Sequence, residues 1–270
     1  MTVRIGSRVI CGPNQPLALI AGPCALEHQK VVDEIIEECK QVCGKHGVQY
    51  VFKASFDKAN RTSIYAARGP GIDASIEKFL RIRREHGVPV VTDIHQPQHA
   101  EVLASCVDMI QIPAMLMRQT DLLKAAALSK LPVLVKKQQS ASPDSMRWVQ
   151  EKLEFFGCRN MIFCDRGTSF GYGRLVNDMT GLVEMRKQGV PVAFDATHSV
   201  QRHGSLAGGE PEMIVPLARA ASAVGIDALF LEVHPEPHNA LSDGGCMLQL
   251  GKLGHLIKTV TRIRKAIYDP

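Results

Sequence analysis

The sequence predicts an α/β fold: one closed (β/α)8 TIM barrel preceded by a short N-terminal β-hairpin. Three observations carry that expectation. A short apolar run followed by a longer helical pattern recurs eight times along the chain. The runs show little polar/apolar alternation, as expected of parallel strands covered on both faces. The length, 270 residues, suits a barrel of about 250 residues, whereas an open doubly wound sheet more often has about five or six strands.

Taken in order, residues 1–16 ("VRIGSRVICG" included) read as a hairpin that plugs the barrel floor. The strands follow as LALIAGP (17–23), YVFKASFD (50–57), PVVTDIH (89–95), MIQIPA (109–114), PVLVKKQ (132–138), NMIFCDRG (160–167), PVAFDATH (191–198) and ALFLEVHP (228–235). Between them lie helices such as 28–47, whose Val31, Ile35, Ile36, Cys39 and Val42 recur at helical spacing. The segments "EHGVPV", "KQGVPV" and "AVGIDALF" place a glycine where a helix must stop before the next strand. No low-complexity linker divides the chain, so residues 1–270 are expected to form a single domain, the barrel occupying 17–270.

Composition narrows the function. An apolar fraction of 45% with 22% charged residues is that of a globular chain with a sizeable core. No run of 18 apolar residues is present, and the N-terminus lacks the apolar stretch of a signal peptide, so a cytoplasmic protein with no membrane partner is expected. Eight cysteines without a Cys-x-x-Cys pair read as reduced thiols. The formal charge of +5 comes without a basic stripe interleaved with aromatics, which argues against nucleic acid and for a small anionic ligand.

Barrel chemistry sits at the C-terminal ends of the strands. Those ends carry Cys24; Lys53, Ser55 and Lys58; Asp93 and His95; Gln111; Lys136 and Lys137; Asp165 and Arg166; Asp195 and His198; and Glu232 and His234. Cys24, His198 and Glu232 close strands one, seven and eight, and Asp243 follows in "NALSDGG". Closure makes strands one and eight neighbours, so these four groups can meet. A thiolate, an imidazole and two carboxylates suit a divalent transition metal such as iron(II), zinc, manganese or cobalt, and would not attract magnesium. Lys53, Lys58, Lys136 and Arg166 fall on the other side of the mouth, where buried cations call for a bound polyanion. Ser55 adds a hydroxyl suited to phosphate oxygens.

In chain order, "IAGPCALE", "FKASFDKANRTS", "RGPG", "TDIH", "IQIPA", "RQTDLL", "VKK", "DRGTSFGY", "DATHSVQ", "EVHPEP" and "LSDG" span residues 19–244. Together they resemble the 3-deoxy-D-manno-octulosonate 8-phosphate (KDO-8-phosphate) synthase family, which condenses phosphoenolpyruvate with D-arabinose 5-phosphate. The resemblance implies that Lys53, Ser55, Lys58, Gln111, Ala114, Lys136 and Arg166 hold phosphoenolpyruvate. It implies that Asn60, Arg61, Thr62 and Ser63 hold the sugar phosphate, with Arg118 reaching in from a neighbouring subunit of a homotetramer. Lys58, Cys24, His198 and Asp243 are the implied catalytic residues, and Cys24, His198, Glu232 and Asp243 the implied metal ligands. Metal-independent relatives resemble Asn at the position of Cys24, so the likeness is to the metal-dependent class.

The neighbouring 3-deoxy-D-arabino-heptulosonate 7-phosphate synthases use erythrose 4-phosphate and resemble Lys-Pro-Arg-Thr where this chain has Lys58-Ala59-Asn60-Arg61. Asn60 can bond a sugar hydroxyl, which favours the five-carbon aldehyde. The chain departs from its likeness at Tyr65, Ala66, Met115, Gln138 and Ser140 and in a short loop after the seventh strand, none of them a metal or phosphate position. A non-catalytic sugar-phosphate sensor on the same fold is the alternative of a different kind.

Overall fold

Eight parallel strands close into a ring in the computed structural model, which describes residues 1–61, 63–202 and 208–268. The hairpin comes first, β1 (Val3–Ile5) antiparallel to β2 (Val9–Cys11). The barrel strands are β3 (Ala18–Ala25), β4 (Gln49–Ser55), β5 (Val90–Asp93), β6 (Met109–Ile112), β7 (Val133–Lys136), β8 (Met161–Asp165), β9 (Val192–Asp195) and β10 (Ala228–His234). Each pairs with the next, and β10 pairs back onto β3 from Ala228↔Ala18 to Glu232↔Gly22, which shuts the ring. A short β11 (Leu248–Gln249) extends β10.

Around the ring lie α1 (Gln29–His46), α2 (Ile72–His86), α3 (Pro97–Leu103), α4 (Thr120–Leu128), α5 (Met146–Phe155), α6 (Met179–Lys187), α7 (Ile214–Val224) and α8 (Leu253–Tyr268). Helix α1 ends where read: Gly47 takes φ 65° and its N–H closes onto the Cys43 carbonyl. Its inner face is Val32, Ile35, Ile36, Cys39, Val42 and Cys43; Val31, expected on that face, is only half-buried. Except for β3, which runs on to Ala25, the strands are shorter than the apolar runs, β6 stopping at Ile112 and β9 at Asp195, because the polar residues that follow leave the ladder for the site.

Two apolar layers result. Outward-facing strand residues pack on the helices. Inward-facing ones form a separate lumen of Ala18, Ile20, Val51, Val91, Met109, Leu134, Ile162, Cys164, Ala193, Ala228 and Phe230, and the hairpin's Val3, Ile5, Val9 and Cys11 cap it from below. Burying each such aliphatic side chain contributes roughly 1.5–3 kcal/mol.

Successive side chains of a strand face opposite ways, so the residue two further on faces inward again. Two beyond the last inward apolar residue on β4 to β10 stand Lys53, Asp93, Gln111, Lys136, Arg166, Asp195 and Glu232. Strand β3 breaks this rule. Its pairing with β4 shifts between Ala21 and Cys24, and a Cβ on Gly22 would lie 1.9 Å from the Lys53 carbonyl oxygen. Only glycine fits there, and Cys24 enters the site at φ 71°, a conformation most residues avoid.

Candidate active site

A cavity of about 630 Å³ opens at the C-terminal mouth of the ring. Lys53, Lys58, Gln111, Lys136 and Arg166 line it together. The Lys53 ammonium donates to the Cys24 carbonyl (3.2 Å) and to Ser55 Oγ (3.0 Å). Ser55 is fully buried beneath Lys53 and does not line the cavity, so its hydroxyl holds the lysine. Lys136 donates to Asp195 and lies 3.2 Å from the centre of the Phe230 ring. Arg166 donates through Nη2 to Gln201, while Nη1 is buried without a partner. Burial pushes its pKa down against the pull of Asp195, Asp165 and Asp243.

Asp195 pairs with Lys136, but three other nearby acids are engaged elsewhere. Asp57 pairs with Arg68, Asp165 with Lys137 at 3.2 Å, and Asp93 with His95 at 3.0 Å. Burial works against the Asp93 carboxylate, yet Lys53, His95 and Lys58 hold its carboxyl well below the usual range. Gln111 Oε1 and Asp93 Oδ1 are buried with no hydrogen-bond partner. Buried polar atoms left open in this way are rare, and here they border one cavity.

Opposite the cations, Cys24 Sγ donates to Asp243 Oδ2 at 3.1 Å. One donor atom each from Cys24, Glu232 and Asp243 lies within 4.8 Å of the others. His198, read as the fourth member, stands at the edge of this trio, its Nε2 3.7 Å from Glu232 Oε2. Its Nδ1 lies 2.7 Å from Asp195 Oδ2, which leaves Nε2 as the ring nitrogen that faces Glu232.

The donor set fits a cation. Glu232 is fully buried, and neither oxygen has a hydrogen-bond partner. Its neighbours are Lys53, His198 and Lys58, at 3.5, 3.7 and 3.9 Å. Burial, then the charge of Glu232, pushes the Cys24 thiol well up from its ordinary value. A thiol, an imidazole nitrogen and two carboxylates brought together form a site that a borderline divalent ion would complete.

Lys58 belongs to both halves. Burial pulls its pKa down, but Cys24, Glu232, Asp93 and Asp243 together carry it above the usual lysine value. Asn60, Ser63 and Ala114 line the cavity. Arg61 lines it too, but its Nε and Nη2 donate to the Ala67 and Leu241 carbonyls, each at 3.0 Å, and its Nη1 is 3.9 Å from Asp243. Arg118 is exposed and does not line the cavity of its own chain. Thr62 and residues 203–207 of the loop after β9 lie outside the described residues. Of the departures, Ala66 and Met115 line the cavity, whereas Tyr65 is 96% exposed and turned away from it.

Three further residues belong to the site. Asp195 joins Lys136 to His198, Gln201 joins Arg166 to Asp243, and Gln139 lines the cavity with Oε1 buried and unpartnered. The inward alternation marks Asp195 at sequence level. Gln201 closes the motif "DATHSVQ", which by itself gives it no role, and Gln139, on a loop, lies outside the motifs.

Fold and cavity define the class: a (β/α)8-barrel protein with a charged, ligand-sized chamber at the mouth where barrel enzymes do their chemistry. More narrowly, the chain belongs to the DAHP synthetase I family, whose profile matches residues 1–268. It is 44% identical over 268 residues to a 2-dehydro-3-deoxyphosphooctonate aldolase of Fusobacterium nucleatum, a match covering 98% of this chain and 96% of that protein. Proteins of the same name from a Synechococcus species and from Desulfotalea psychrophila are 46% and 47% identical, covering 99% and 98% of this chain and 95% of each relative. All eight cysteines are free and buried, as the sequence led one to expect. Among the described residues no helix is long and apolar enough to cross a membrane.

Proposed function

We propose that the chain condenses phosphoenolpyruvate with D-arabinose 5-phosphate and water to give 3-deoxy-D-manno-octulosonate 8-phosphate and inorganic phosphate, a step of KDO and hence lipopolysaccharide biosynthesis. The observation that carries this reading is a single cavity lined on one side by Lys53, Lys136 and Arg166 and on the other by His198 and Asp243, with Cys24 and Glu232 buried beside Asp243 and Lys58 between the two sides. The name shared by the relatives agrees with it.

In this reading the cationic wall, with Gln111 and the Ala114 turn, takes the phosphate and carboxylate of phosphoenolpyruvate and turns carbon 3 toward the aldehyde. Such positioning lowers a bimolecular barrier by about 7–11 kcal/mol in good cases. Asn60, Arg61, Thr62 and Ser63, with Arg118 of a neighbouring subunit, hold the sugar phosphate. Carbon 3 then bonds to the aldehyde carbon as the enol double bond opens, and water adds through its oxygen to carbon 2, its released proton going to the phosphate that later departs. The Lys58 ammonium, kept charged by the carboxylates around it, gives its proton to the new alkoxide. The hemiketal phosphate collapses with C–O cleavage. Cys24, His198, Glu232 and Asp243 would hold a divalent transition ion (iron(II), zinc, manganese or cobalt), which would supply Lewis-acid charge. The enzyme acts in the cytoplasm as a homotetramer.

Phosphate release measured with each aldehyde tests the substrate: D-arabinose 5-phosphate is expected to be preferred, and a preference for erythrose 4-phosphate would overturn the reading of Asn60. Phosphate release from phosphoenolpyruvate independent of either sugar would overturn the condensation itself. A chelator is expected to abolish turnover and a divalent ion to restore it; full activity in ion-stripped protein would remove the metal from the reading.

A further inference from the structure

We propose that Gln201 is a positioning residue that ties the anion-binding wall to the carboxylate of Asp243, one amide setting both. The inference rests on the function proposed above, in which Arg166 binds phosphoenolpyruvate and Asp243 holds a cation.

Gln201 leaves the short 3-10 turn His198–Val200 after β9 and is fixed at the backbone by an antiparallel bridge to Gly209. Its side chain reaches across the mouth. Oε1 accepts from Arg166 Nη2, and Nε2 donates to Asp243 Oδ1 at 3.5 Å. A guanidinium only donates and a carboxylate only accepts, so the amide has one orientation between them. Neither an acid nor an apolar side chain can serve both partners.

Each partner is left half-used. With Nη2 held by Gln201, Nη1 of this cavity-lining arginine is buried without a partner, one arm of the fork anchored and the other unpaired. Asp243 Oδ2 already accepts from Cys24 Sγ (3.1 Å) and Ser242 Oγ (2.5 Å), so Gln201 steadies the other oxygen. Asp243 sits at φ 52°, in the left-handed region, and such a residue keeps its aim only while its neighbours hold it.

The chemistry predicts opposite signs at the two halves for Gln201→Glu. A carboxylate there pairs with Arg166 and competes with the anion, while its negative charge beside Asp243 attracts a cation. Binding is measured without turnover, using phosphoenolpyruvate, inorganic phosphate and cobalt(II), the last followed by its thiolate absorption. Gln201→Glu is expected to weaken both anions by on the order of tenfold and to tighten cobalt(II). Gln201→Leu, which releases both partners without adding charge, is expected to weaken the anions and cobalt(II) severalfold each. A merely structural lesion weakens all three ligands together, and that result in Gln201→Glu would overturn the proposal. So would unchanged anion affinity in Gln201→Leu, which decides the matter if the acidic variant does not fold. Wild-type protein that binds phosphate and cobalt(II) but not phosphoenolpyruvate would strike the proposed function alone, and Gln201 is then judged on phosphate.

Discussion

The floor and the mouth of the lumen are built by the same strands and are comparably buried, yet they are chemical opposites. At the floor, Val3, Ile5, Val9 and Cys11 of the hairpin close over Ala18, Ile20, Val51, Met109 and Leu134, a layer that asks nothing of solvent. One step of alternation higher stand Lys53, Asp93, Gln111, Lys136, Asp195 and Glu232, all under 7% exposed. There Asp93 Oδ1, Gln111 Oε1, Arg166 Nη1 and both Glu232 oxygens lack hydrogen-bond partners. Burial therefore has two meanings within one lumen. At the floor it stabilises; at the mouth each open polar atom costs stability that a ligand recovers. Phe230 marks the boundary, its ring part of the apolar lumen and its face beneath the Lys136 ammonium.

Removing the open cation is the strongest way to break this comparison. Arg166→Ala is expected to lower kcat/KM for phosphoenolpyruvate by roughly 10²–10³-fold in steady-state assays while the protein still unfolds cooperatively. The matching cut below, Ile162→Ala, is expected to cost about 2–5 kcal/mol in urea unfolding and to leave kcat and KM unchanged. Should Ile162→Ala instead depress turnover as Arg166→Ala does, floor and mouth would not be separable.

A smaller effect sharpens the same line. Phosphoenolpyruvate at about 100 times its Kd is expected to raise the unfolding free energy by about 2.7 kcal/mol. The gain should be the same in wild type and in Ile162→Ala, and absent in Arg166→Ala at that concentration.

The smallest effect is in pH. The folded-state pKa of Asp93 is depressed by Lys53, His95 and Lys58 against the cost of burial. In the window between that pKa and the unfolded value near 4, the unfolded chain binds more protons, so this contribution is present above about pH 4 and lost as pH falls toward the folded pKa. Asp93→Asn is expected to flatten the acid limb of stability measured by denaturant titration. An unchanged acid limb would show that Asp93 is not held by these cations.

Much of this was legible in advance. Lys53, Lys136, Asp195 and Glu232 stand at strand ends, and Cys24, Glu232 and Asp243 do converge. Less was legible where a side chain is captured from afar. Arg61 reads as a sugar-phosphate ligand, but two of its donors are taken by carbonyls, one of them Leu241, 180 residues away in sequence. Ser55 reads as a phosphate hydroxyl and lies instead under Lys53. Gln201 ends the motif "DATHSVQ", but its role was not legible there, since an amide on a loop gains meaning only from what stands on either side of it.

By itself the sequence determined the eightfold unit, the sealed floor and the kinds of group that crown the strands. Those follow from the two-residue alternation of strands and from where apolar residues give way to charged ones, both local properties of the chain. Tertiary structure alone decided that β3 shifts register to turn Cys24 inward and that its thiol meets Asp243 across 219 residues. It alone decided which buried atoms stay unpaired. The reason is physical: a residue's type sets what it could bond, but only closure of the ring decides which partners come within reach.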